Sequence, residues 1–319
     1  MHTPQRLLLV FFILSSLISK GQTHFDFHQM AKLSKQQLDY SGAVKMMNKA
    51  LELAPDECDY YIERGHLYLG LEKNKKALED FKSAMSIDSM DVEPWIGKSL
   101  CHMYNEELDS ALMIAHISYI LAESQYERAR AGSLLGEVFL SKQDELKALE
   151  YFSESLQLDT TNNSGYKKAA LIAMRQRDFD QAETLLLKAL INDSRDLEIL
   201  INLAYTYNNL EYYRQSLEYC NMALTFDPAE PLARSNRAFA YYQLGETDRA
   251  LEDINQSIRS DKTNPVAYKY KGEILLAMKE ETEKACKCFD KAIDLGYEQV
   301  SESALSVLIA ANCPDLSKD

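Results

Sequence analysis

A small residue returns about every 34 positions along this chain, and that period constrains the fold more than any other feature. Ala43, Ala77, Ala111, Ala148, Ala182, Ser216, Ala250 and Ala285 are spaced 34, 34, 37, 34, 34, 34 and 35 residues apart. Twelve residues earlier stands a second small residue, at Ala31, Gly65, Ser99, Gly136, Ala170, Ala204 and Ala238, with Gly272 thirteen before Ala285. Seven residues later stands a third, at Ala50, Ala84, Ser118, Ser155, Ala189, Ala223, Ser257 and Ala292. Three small positions held in one frame call for a contact in which two backbones come close. Two antiparallel helices meeting at those positions provide it. Larger side chains then fill the flanking space: Phe27, Tyr61, Trp95, Tyr166 and Tyr268 before the first position, and Met47, Phe81, Phe152, Leu186, Ile254 and Phe289 after the second. In "RAFAYYQLGETDRALEDINQSI" (237–258), Ala238, Ala250 and Ser257 are the contact points, with Tyr241 and Ile254 packed around them.

The turn chemistry agrees with this frame. The 319 residues include only 11 Gly and 7 Pro, together about half of ordinary usage. Few turns are available, and the abundant Leu, Ala, Glu, Lys and Gln favour helix. Pro55, Pro94, Pro228, Pro231 and Pro265 fall at junctions between units, where a helix must stop or can start. Gly245 falls between the two helices of its own unit. The register places two insertions, three residues near 126–128 and one near 280–284, in loops.

A 34-residue helix–turn–helix period with these small and bulky positions resembles the tetratricopeptide repeat family. The resemblance covers residues 24–299 and is strongest in "YIERGHLYLGLEKNKKALEDFKSAMSID" and "SNRAFAYYQLGETDRALEDINQSIRSD". Gly132, Leu200 and Arg234 depart from it by replacing the usual aromatic, and Ser216 by replacing Ala. It implies an all-α fold, an α-solenoid: a right-handed superhelix of about eight repeats in which each unit contacts its neighbours. The repeats are expected at 24–57, 58–91, 92–125, 129–162, 163–196, 197–230, 231–264 and 265–299. Residues 300–319 are expected to form a C-terminal capping helix and tail, since "VSESALSVLIAANC" carries apolar residues at helical spacing.

Ahead of the repeats, Arg6 precedes the apolar run "LLLVFFILSSLI" (7–18), followed by "SKGQT". Twelve helical residues rise about 18 Å, short of the roughly 30 Å hydrocarbon core. A basic residue, a short apolar stretch and small Ser19 and Gly21 read as a signal peptide over 1–21, cut to leave Gln22 first. An uncleaved membrane anchor is the alternative. The expected location is therefore exported, periplasmic or secreted, with no membrane span left after cleavage.

The net charge is −14, and loss of Arg6 and Lys20 with the leader makes it −16. No Lys/Arg block survives, which argues against nucleic-acid binding. The acidity reads as a solvated surface before it reads as a taste for basic partners. No catalytic signature is present: no G-x-S-x-G, no H-E-x-x-H and no phosphate-binding glycine loop. An enzyme is not expected, nor are a cofactor or a metal. His24 and His28 stand four apart, but read as a solvated first turn. Asp88-Ser89-Met90, Asp109-Ser110-Ala111 and Asp159-Thr160-Thr161 resemble an O-glycosylation signal of some exported bacterial proteins.

Six cysteines include no C-x-x-C pair. Cys220 occupies a bulky core position and reads as a buried apolar residue. Cys286 follows Ala285, which faces the next helix of the stack, and that helix ends at Cys313. In an oxidising compartment a Cys286–Cys313 disulfide would clamp the cap. Cys288 points elsewhere and is the weaker candidate.

In the family this sequence resembles, the first helix of each unit lines a concave face that holds extended peptides. The corresponding residues of repeats six and seven are Ile201, Asn202, Tyr205, Asn208, Ser235, Asn236, Phe239 and Tyr242. Rings supply contact area and amides pair with peptide backbone. The family's clamp for chaperone C-termini is absent. Ile201 and Tyr205 stand where Lys and Asn belong, and Val266 and Tyr270 where Lys and Arg belong. The expected function is a protein–protein interaction scaffold of the cell envelope with a protein or peptide partner. The alternative is a solute- or glycan-binding accessory of an envelope machine.

Overall fold

The computed structural model describes residues 23–278, 281–297 and 304–313. The expected signal peptide, Gln22, and residues 300–303 and 314–319 of the expected cap and tail lie outside them. The chain divides into two compact units, one ending at Asp159 and the other beginning at Thr160. Among the described residues every regular element is a helix.

The first unit holds four helical hairpins: α1 (His24–Gln36) with α2 (Tyr40–Leu53), α3 (Cys58–Gly70) with α4 (Asn74–Ile87), α5 (Val92–Tyr104) with α6 (Leu108–Leu121), and α7 (Gln125–Ser141) with α8 (Glu145–Leu158). The second unit holds four more and a closing helix. They are α9 (Asn163–Arg175) with α10 (Phe179–Asn192), α11 (Leu197–Asn209) with α12 (Tyr213–Phe226), α13 (Pro231–Gln243) with α14 (Thr247–Ser260), and α15 (Pro265–Ala277) with α16 (Thr282–Asp294), followed by α17 (Ala304–Asn312). Within each unit the second helix of a hairpin also packs on the first helix of the next, so each unit is an α-solenoid.

All 24 small positions of the repeat are buried. So is every residue four after the second small position, at zero exposure: Met47, Phe81, Ala115, Phe152, Leu186, Cys220, Ile254 and Phe289. The two sets compensate in volume. Glycine faces each phenylalanine, in Gly65–Phe81, Gly136–Phe152 and Gly272–Phe289, where an added Cβ would stand 2.8, 2.8 and 2.3 Å from the ring. Alanine takes the first position where the second helix carries Met47, Leu186, Cys220 or Ile254. Of the five serines at these positions, three find a carbonyl across the hairpin, while Ser118 donates to Ala115 O of its own helix and Ser216 lies beside Cys220 Sγ. Ser99 donates to Ala111 O at 2.8 Å, Ser155 to Ala129 O at 2.7 Å and Ser257 to Pro231 O at 2.7 Å. A buried hydroxyl without an acceptor would cost about 1–3 kcal/mol.

Seven of the hairpins turn through a left-handed residue: Leu38, Glu72, Glu106, Gln143, Arg177, Glu211 and Gly245. Each follows the last turn of the first helix, whose orphan carbonyls the connection satisfies, as where Lys73 N–H donates to Tyr68 O and Glu246 N–H to Tyr241 O, both at 2.8 Å. Glycine is used once, at Gly245; the other six accept the steric cost of a side chain there.

One insertion departs from expectation. Residues 126–128 are not a loop: they lie in α7, which runs 17 residues where α5 and α9 run 13. Ser124 and Glu127 form a capping box that starts the helix early, and no breaker interrupts "QYERARA". The single extra residue near 280–284 lengthens the connection between Ala277 and Thr282, part of which is outside the described residues.

Candidate functional site

Successive first helices of the second unit present equivalent residues one repeat apart: Leu171 on α9, Tyr205 on α11, Phe239 on α13 and Glu273 on α15. Leu171 is 40% exposed, and the next three are half-buried. Tyr205 meets Phe179 edge-on at 6.2 Å, and Phe239 meets Tyr213 edge-on at 6.3 Å. Phe239 also stacks on Tyr270 at 4.5 Å. Asn202 and Tyr242 are half-buried beside this run.

Four of the expected groove residues are turned to other work. Ser235 is 1% exposed, donates to Pro231 O at 2.9 Å and lies 2.7 Å from Ser257 Oγ, so it faces its hairpin partner α14. Asn236 Nδ2 donates to Ile201 O at 3.3 Å, and Asn208 Nδ2 donates to Asn236 O at 2.9 Å. These two amides are buried rungs between α11 and α13, and Ile201 is buried with them. The correction has a physical cause: an amide on a helix face that meets the next helix finds a backbone carbonyl there and is buried with it. Asn202, Tyr205, Phe239 and Tyr242 are the expected residues that keep exposed surface.

The run ends in a cleft of about 250 Å³ lined by Tyr242, Gln243, Glu273, Leu276, Ala277 and Leu308. Glu273 Oε1 accepts from Lys269 Nζ at 2.9 Å, while Oε2 is buried with no hydrogen-bond partner. Burial pushes the Glu273 carboxyl up against the opposing pull of Lys269. Burial also raises Tyr242 and Tyr297, and Glu273 adds to both shifts, placing these rings within electrostatic reach of the carboxylate. Glu273, Lys269 and Tyr297 were not among the expected site residues. The repeat period points to the first two: Glu273 lies 34 residues after Phe239 and Lys269 34 after Ser235. Tyr297 follows α16 and has no equivalent in that register.

Cys286 and Cys313 are bonded, with Cα atoms 5.7 Å apart, and tie the end of α17 to α16. Ile309 and Cys313 are buried with Leu275 and Phe289 beneath this link. Cys58, Cys101, Cys220 and Cys288 are free thiols. Burial pushes Cys58 up to about 11 and Cys101 and Cys220 to about 12, which suppresses the reactive thiolate.

His24 and His28 do not form a solvated turn. His24 Nδ1 lies 2.9 Å from the Tyr60 hydroxyl, and His28, 8% exposed, pairs with Glu63 at 2.8 Å. Both dock α1 on the next repeat. Of the three glycosylation-like triplets, Ser89 and Thr160 are exposed outside helices, and Ser110 is half-buried in α6. Among the described residues no helix is long and apolar enough to cross a membrane.

A tetratricopeptide repeat family model matches residues 233–264, and a model of the second ARM domain of tetratricopeptide repeat protein 21 matches 26–163. A TPR repeat-containing protein of Methanocaldococcus jannaschii is 24% identical, over 92% of this chain and 54% of its own length. The human protein O-mannosyl-transferase TMTC3 is 22% identical, over 81% of this chain and 25% of its own. The chain thus spans about half or less of these relatives. Among solved structures, a tetratricopeptide repeat protein from Parabacteroides merdae matches with TM-score 0.55 at 18% identity, over 80% of this chain and 98% of that one. The APC/C Cut9–Hcn1 hetero-tetramer matches with TM-score 0.62 at 14% identity, over 86% and 52%. Repeats of this kind generally serve as protein-interaction scaffolds and typically carry no catalysis. On its eight-fold sequence period, its stacked hairpins and these matches, the chain belongs to the tetratricopeptide-repeat proteins.

Proposed function

We propose that this protein is a non-enzymatic scaffold of the cell envelope that holds an extended peptide of a partner protein along the first helices of its second unit. The supporting observation is the run Leu171, Tyr205 and Phe239, one apolar or aromatic side chain per repeat, each keeping exposed surface where neighbouring positions are buried. Rings held by edge-on contacts lose little freedom on binding, which makes them efficient anchors. Tyr242 and Asn202 border the run and supply polar edges. Export rests on the leader at 1–21, and a periplasmic or secreted location follows from it. Two of the four free thiols, Cys101 and Cys220, are buried, and burial keeps them from exchange in that compartment.

In-cell crosslinking with mass spectrometry tests the reading, on the native protein and a Tyr205→Ala/Phe239→Ala/Tyr242→Ala variant. Crosslinks to one envelope protein, lost in the variant with helicity unchanged, are the expected result. Crosslinks that survive in the variant remove the aromatic run from the account. Stabilisation by an oligosaccharide with no captured protein would favour the small-ligand alternative.

A further inference from the structure

The bare oxygen of Glu273 identifies what the cleft recognises. Buried carboxylate oxygens are almost always paired, because an unpaired one keeps the cost of leaving water. Here Oε1 is held by Lys269, and Oε2 is buried without a partner. The surroundings favour a cation. Tyr242 forms one wall of the cleft, and aromatic faces attract positive charge. Lys269 already shows this at the site, standing 4.8 Å from the Tyr270 ring centre and 5.6 Å from that of Phe239.

We propose that the Glu273 cleft receives one basic side chain, arginine or lysine, of the peptide that lies along Tyr205 and Phe239. The inference rests on the peptide-groove reading and adds its specificity. An incoming ammonium or guanidinium pairs with the Glu273 carboxylate, which turns to bring its covered Oε2 to the cleft, while the aliphatic stem packs on Leu276, Ala277 and Leu308, all of which line the cleft. A volume of about 250 Å³ is below that of ordinary cofactor and drug-sized pockets, and suits a single side chain. An acidic side chain would meet the oxygen with like charge, an apolar one would leave it unpaired, and a neutral donor would pair it without offsetting its charge. The chain's net charge of −14 draws basic peptides toward it at long range.

Selection from a random library of amide-capped twelve-residue peptides, against the oxidised full-length protein, tests this. Glu273→Gln keeps the shape of the side chain and removes its charge. Lys269→Met removes the resident cation and leaves Glu273 without one. The expected result is a set of peptides sharing an arginine or lysine at one register. That preference should fall at least tenfold against Glu273→Gln, and the same synthetic peptide should bind Lys269→Met several-fold more tightly. A merely structural role for Glu273 predicts no tightening. Enriched peptides without a basic residue, or with a basic preference unchanged in Glu273→Gln, overturn the inference and leave the groove intact. No enriched peptide against any of the three proteins overturns both.

Discussion

Arg64 in the second repeat and Arg237 in the seventh make the same set of contacts. Arg64 grips Asp80 through two nitrogens, at 2.8 and 2.6 Å, and reaches Asn48 of the preceding hairpin at 2.8 Å. Arg237 grips Asp253 at 2.6 and 2.8 Å and reaches Asn221 at 2.8 Å. A tyrosine one turn along lies near each, Tyr68 or Tyr241, with Lys76 or Arg249 also over its ring. Three differences are set on this common frame. The packed pair is Gly65–Phe81 in one and Ala238–Ile254 in the other, the turn uses Glu72 or Gly245, and two residues past the arginine stands His66 or Phe239. The clamp staples consecutive hairpins wherever it occurs. The residue beside it on the same helix is free to differ, and that is where one unit offers an imidazole and the other an aromatic run.

The clamps should be the costliest features to break. Asp80 and Asp253 side chains are each 6% exposed, and removing one partner of a buried pair costs about 3–5 kcal/mol. Asp253→Ala should cost more than Asp80→Ala in urea unfolding, because Arg234 also reaches Asp253, at 3.4 Å, and both arginines would lose their carboxylate. Equal losses would remove Arg234 from the clamp. Next comes core volume. Gly65→Ala drives a Cβ into the Phe81 ring and should cost about 2 kcal/mol. Adding Phe81→Ile should recover only part of it, because the ring also fills the space over Gly97, where an added Cβ would stand 2.3 Å away, and a double variant no better than the single would contradict the volume account.

His66 gives the pH dependence that its counterpart Phe239 lacks. Burial pushes its imidazole down to about 4, with Arg130 and Lys35 adding to the effect. The folded state therefore favours the neutral ring. Its contribution is complete above the ordinary histidine pKa near 6.5, and it is lost as pH falls toward 4. By pH 5 the loss should be about 1–2 kcal/mol relative to a His66→Phe variant, read as the difference between their melting curves at pH 7.5 and 5. Turns carry the smallest effect. Gly245→Ala should cost about 1 kcal/mol at its left-handed φ. Glu72→Gly should gain only a few tenths, since glycine also frees the unfolded chain. A loss at Glu72→Gly would mean that its side chain contributes contacts beyond the turn.

Much of this was legible in the sequence, because burial at the hairpin contact leaves a size signature. Ala43, Ala77 and their equivalents could be read since only small side chains let the helices meet. The Gly65–Phe81 exchange against Ala238–Ile254 was equally visible as a paired change of volume. The site was less legible. Ser235 and Asn236 carry the residue types of a polar groove, yet their partners, Ser257 Oγ and Ile201 O, depend on which way each side chain turns, and a repeat period alone does not set that. The 126–128 extension was misplaced because residues counted as extra can lengthen a helix as well as a loop. The capping pair Ser124 and Glu127 was the available signal.

The most direct test sets the two frames against each other inside the cell. Leu69 and Tyr242 occupy equivalent places, each half-buried near the end of its helix. A photoreactive benzoylphenylalanine at each position, in otherwise native protein, reports what lies against that face. The account predicts adducts with a protein partner at position 242 and none at 69. Adducts at 69 alone, or equally at both, would contradict the assignment of binding to the aromatic run of the second unit.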